Sequence, residues 1–119
     1  MPALKESPAH GDTDGERLAA LGLLEQRPDL SQRELSETLG LSLGKTHYVL
    51  HALLDKGLVK ARNVRRSGNE LAYAYVLTPN GMREKFVLTR AFLSRKEGEF
   101  EQLKHTIAAL KSELADSVQ

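Results

Sequence analysis

The chain has 119 residues, 40% of them hydrophobic and 28% charged, which suits one modest core with an appendage. It contains no cysteine, which excludes disulfides, thiolate metal sites and thiol redox switching and fits a reducing cytoplasm, where the protein is expected. The net charge of +1 gives no global reason to expect nucleic acid, and no apolar run suits an export signal or a membrane span.

Residues 1–14, MPALKESPAHGDTD, hold two prolines, a glycine and polar residues without periodicity, and predict a disordered N-terminal tail. Glu16 to Arg27 reads as a scaffold helix with Leu18, Leu21 and Leu24 on one side, stopped before Pro28. Leu30 then adds a brief extended contact.

Residues 31–57, SQRELSETLGLSLGKTHYVLHALLDKG, read as two helices joined by a short turn. Ser31 and Glu34 form a capping box that starts the first helix. Leu35 and Leu39 give it an apolar stripe, with Gln32, Arg33, Ser36, Glu37 and Thr38 on the wet side. Gly40 suits the left-handed residue that ends it. Ser42 caps the second helix only two residues later, so the two must cross sharply, as in a helix-turn-helix. On the second helix Thr46, Val49 or Leu50, Leu53 and Leu54 form the inward stripe. Gly44, Lys45, His47, Tyr48 and His51 are left outward: donors, a cation and a flat aromatic, the types that reach phosphates and base edges from a major groove.

After Gly57 the pattern changes from helical to alternating. LVKARNV (58–64) and LAYAYVLT (71–78) predict two strands, and RSGN (66–69) carries turn chemistry, so a hairpin follows. Leu71, Tyr73, Tyr75 and Leu77 share one face, with Ala72, Ala74 and Val76 opposite. Arg62, Arg65 and Arg66 make the hairpin a basic wing for phosphates or a minor groove. From Gly40 to Arg66 there are six cations against Asp55 alone, so this segment carries +5 and the remainder −4.

Thr78 caps the last helix and Pro79 takes its first position. Phe86, Leu93, Phe100, Ile107 and Leu114 recur every seven residues, with Met82, Thr89, Lys96, Leu103 and Leu110 in the companion positions. This seam predicts a homodimer, parallel or antiparallel, through Phe86, Leu93, Phe100, Leu103, Ile107, Leu110 and Leu114. Thr89 and Lys96 weaken its middle, and Gly98 marks a place for a bend or break. The expected architecture is α+β, mainly α: three helices and a hairpin wing over 15–78, then a dimerisation helix over 79–119.

The order of these pieces, with SQRELSETLGLSLGKTHYVLHALLDKGLVKARNV followed by LAYAYVLTPNG, resembles the winged helix-turn-helix regulators of the MarR family, most of all the small ones associated with exopolysaccharide (EPS) gene clusters. The resemblance covers roughly residues 16–105. It implies a dimeric bacterial transcription factor on a pseudo-palindromic double-stranded operator, with repression the expected mode. It also implies reading residues Ser42, Gly44, Lys45, Thr46, His47, Tyr48 and His51, with Arg62, Arg65 and Arg66 from the wing. Larger members have an extra N-terminal helix and an acidic residue closely followed by arginine in the wing; RRSGNE lacks that pair, and no small-molecule effector is predicted.

No convergent set of acids, bases and nucleophiles suggests an enzyme, since Ser31, Ser42 and Thr78 are explained as caps. His47 and His51, with Asp55 a turn further on, have a spacing that suits a divalent metal. Tyr48 stands where a zinc protease has its glutamate, and no metal or cofactor is expected. The alternative function is a winged-helix protein-interaction module that docks through its C-terminal coiled coil.

Overall fold

The computed structural model describes the backbone of residues 2–65 and 71–118, and side chains within 14–64 and 72–118. Its elements are α1 (Pro2–Gln26), α2 (Gln32–Leu39), α3 (Leu43–Asp55), β1 (Val59–Arg65), β2 (Leu71–Leu77) and α4 (Pro79–Ser117). The strands pair antiparallel from Val59 opposite Leu77 to Arg65 opposite Leu71. A mainly helical chain with one two-stranded sheet and a long C-terminal helix is therefore observed, as the periodicities predict.

The chain falls into two compact units, Met1–Leu88 and Thr89–Gln119. In the first, Leu21 and Leu24 of α1, Leu35 of α2 and Leu50 and Leu53 of α3 are at most 1% exposed. Leu30, Val49, Leu58, Val59, Tyr75 and Leu88 complete the same core. Burying each such leucine contributes about 1.5–3 kcal/mol, so the three helical stripes meeting here dominate the stability of the unit. The hairpin is tied to the helices by the Tyr75 amide, which donates to the Pro28 carbonyl at 3.0 Å. Tyr75 and Leu77 face the core, whereas Tyr73, two residues nearer the tip on the same face, is 57% exposed.

The first unit extends to Leu88 because the first turns of α4 pack with the helices before them. Lys85 pairs with Glu25 at 2.6 Å, Glu84 with Arg17 at 3.8 Å, and Leu88 enters the core. Every residue from Leu93 to Val118 is exposed.

Helical backbone of α1 begins at Pro2, within the stretch expected as a tail. Two expectations are corrected. Ser36, assigned to the wet side, is buried at 6%; its hydroxyl donates to the Arg33 carbonyl at 2.8 Å, which satisfies it without water. α4 runs unbroken through Gly98; one glycine costs only about 1 kcal/mol, which the good helix formers on either side absorb.

Candidate nucleic-acid interface

Local bonds set the geometry of α2 and α3. The capping box is formed, with the Ser31 amide donating to Glu34 Oε1 at 2.9 Å and the Glu34 amide to Ser31 Oγ at 3.1 Å. At the other end of α2, Gly40 adopts φ 71°. Its amide donates to the Glu37 carbonyl and that of Leu41 to Ser36, a Schellman closure. The same closure ends α3, where Gly57 has φ 71° and the Gly57 and Leu58 amides donate to Leu54 and Leu53. Between these stops, the Lys45 amide donates to Ser42 Oγ at 3.0 Å, which caps α3 and fixes its entry.

With Thr46, Val49, Leu50 and Leu53 buried, α3 turns its other side out. Ser42, Gly44, Lys45, His47, Tyr48 and His51 are all exposed, Tyr48 at 65%. Thr46 does not belong with them. It is 1% exposed and its hydroxyl donates to the Ser42 carbonyl at 2.9 Å, so it secures the first turn of α3 and offers nothing to a ligand. A Cβ added at Gly44 would meet no atom within 4 Å, which leaves the backbone there open to close approach.

Neighbouring helices hold the outward side chains. His47 Nδ1 lies 3.3 Å from Gln32 Oε1 of α2, and in the tautomer that donates there Nε2 is left as an acceptor. The His47 and His51 rings stack at 4.1 Å with a tilt of 44°. Lys45 Nζ lies 3.4 Å from Glu16 Oε1 of α1 and 5.9 Å from the Tyr48 ring centroid. On β1, Lys60 and Arg62 are exposed on the strand face shared with Val64. Arg65 ends the described strand opposite Leu71, while Arg66 and the stretch 66–69, where a turn was expected, lie outside the described residues. Among the described residues, no group of three or more His, Cys, Asp or Glu side chains is placed to hold a metal.

Three members of this face were not legible in the sequence. Gln32 and Glu16 act across 15 and 29 residues of chain, and no local signal marks either one. Leu43, the first residue of α3, is 47% exposed; an apolar side chain among donors at a helix start is the clue that could have found it.

A cap, a tight turn, a second capped helix and a hairpin tied back to the helices complete the geometry. The fold is a winged helix-turn-helix. Residues 17–60 match the family model described as "Winged helix-turn-helix DNA-binding". No curated protein matches the sequence. The chain is similar in fold to a PadR-like transcriptional regulator from Bacillus cereus, at 16% identity and TM-score 0.68, over 73% of this chain and 89% of that one. It is similar to MepR from S. aureus in a DNA complex, at 21% identity and TM-score 0.60, over 87% and 77% of the two chains. It is also similar to a transcriptional regulator homologue from Pyrococcus horikoshii, at 23% and TM-score 0.58, over 82% and 97%. At such identities the likeness is one of fold.

Proposed function

We propose that the protein is a sequence-specific double-stranded DNA-binding transcriptional regulator that acts as a homodimer and represses, with residues 15–78 engaging DNA and 79–119 joining the two copies. The observation that carries this reading is the outward side of α3, where Gly44, Lys45, His47, Tyr48 and His51 are exposed together on a helix locked at both ends. Lys45, His47 and His51 supply donors and acceptors for base edges, Leu43 an apolar contact for a thymine methyl, and Ser42 a hydroxyl for a phosphate. Lys60 and Arg62, with Arg65 and Arg66, supply the sequence-independent charge. The match of residues 17–60 and the DNA-bound state of MepR support the same reading.

Dimerisation is supported by α4. Leu93, Phe100, Leu103, Ile107, Leu110 and Leu114 are between 44% and 68% exposed and recur along one seam of the helix. An isolated helix of this kind is marginal in water, and a second copy of the seam is a partner of matching period. The resemblance to the regulators of exopolysaccharide clusters extends the proposal to genes of that kind as targets. A protein-docking module is the second reading, favoured by the same exposed seam.

Selection from a pool of random duplexes tests the function. A DNA reader enriches two related half-sites ~34 Å apart, one helical turn, in keeping with a two-fold protein. A pool that stays random after repeated rounds contradicts it.

A further inference from the structure

Lys45, the cation at the start of the outward side of α3, has a partner on a different helix. Its ammonium lies 3.4 Å from Glu16 Oε1 of α1 and 5.9 Å from the centroid of Tyr48. Glu16 is the more enclosed of the pair, its side chain 21% exposed against 43% for Lys45. Its Oε1 is buried and, among the described residues, accepts no hydrogen bond. A carboxylate oxygen withdrawn from water needs a compensating charge. The adjacent Arg17 is engaged with Asp14 at 3.0 Å and Glu84 at 3.8 Å, whereas Lys45 comes to Glu16 from α3.

A lysine on a reading helix is a point charge on a flexible stem, and left to itself it settles on any phosphate within reach. We propose that Glu16 is a specificity-determining residue of the DNA-reading face: held between the Glu16 carboxylate and the Tyr48 ring, Lys45 is withheld from indiscriminate phosphate contacts. It is released to a duplex whose base edges replace the carboxylate. Guanine, with two acceptors side by side in the major groove, is the edge best able to do so. This rests on the DNA-reading function proposed above.

The test compares wild type, Glu16→Gln, Lys45→Gln and the double variant by fluorescence anisotropy, on a random-sequence duplex and on the duplex upstream of the protein's own gene, across a salt series. Glutamine keeps the shape of the Glu16 side chain and removes the charge of Lys45, and thermal melting checks that each variant is folded. Glu16→Gln binds the random duplex ~5-fold tighter at ~0.15 M salt, the effect of one further released counterion, and its salt slope steepens by about 0.9. The upstream duplex gains less, so the specificity ratio falls. In the Lys45→Gln background the same change gives less than half the gain. Glu16→Asp, which keeps the charge but shortens the reach, shows part of the wild-type to Glu16→Gln difference. An equal gain with and without Lys45 overturns the proposal, because Glu16 then acts by its own charge; so does a Glu16→Gln variant that matches a steeply salt-dependent wild type in affinity and slope. If wild type itself shows no salt-dependent binding to either duplex, the DNA reading fails, and this proposal fails with it.

Discussion

Two glycines of this chain do opposite things, and each makes a prediction. Gly81 is buried in the first turn of α4, where an added Cβ would lie inside the van der Waals envelope of the Leu58 carbonyl oxygen. Thr78 holds the turn in place, its hydroxyl donating to the Gly57 carbonyl at 2.6 Å and accepting from the Gly81 amide at 3.0 Å. Gly81→Ala is therefore expected to destabilise the fold by about 1–3 kcal/mol, read as a lower melting temperature. Gly44 meets nothing. Gly44→Ala should leave the melting temperature unchanged or raise it, by up to about 1 kcal/mol of helix propensity, while weakening DNA binding if α3 approaches DNA through that gap. Among the exposed side chains, Lys45→Ala or His47→Ala should reduce discrimination between duplex sequences, whereas Arg62→Ala should weaken all duplexes alike and flatten the salt slope by about one. The reverse pattern would exchange the roles of helix and hairpin.

The elements were legible where their causes are local. Ser31 with Glu34, Gly40, Ser42, Thr78 and Pro79 each act within a few residues, and each sits where its type predicts. Ser42→Ala should therefore cost about 1 kcal/mol in thermal melting and fray the start of α3, with loss of DNA affinity larger than that of stability. Most of what was not legible depends on neighbours distant in sequence. Tyr73 and Tyr75 alternate alike, yet only Tyr75 lies over the core, because the hairpin projects past it. Thr46 satisfies both the inward stripe and the donor composition of a reading face, and its burial in the folded unit, at 1% exposure, decides between them. Gly98 lowers propensity at one position but does not outweigh the helix formers on either side. The Glu16 and Lys45 pair joins two helices whose crossing no local pattern reveals.

At the scale of the whole molecule, α4 has 39 residues. In its second unit no residue from Leu93 to Val118 is buried, and the ion pairs there, Lys96 with Glu99 and Lys104 with Glu101, are exposed and contribute little. Leu103→Asp with Ile107→Asp should convert a dimer to monomers by light scattering and remove tight binding to a two-fold site, while the melting of residues 1–88 is preserved. Dimers that persist would move the interface elsewhere. The central claim, that this winged helix reads DNA sequence, is tested most directly by fluorescence anisotropy with the duplex upstream of its own gene and a scrambled control, each over a range of salt. The account predicts preference for the native duplex and a slope of about −5 or steeper in log affinity against log salt, from three or more cations on phosphates in each of two copies. Equal, weak binding to both duplexes with a shallow slope would contradict it and assign the exposed seam of α4 to a protein partner.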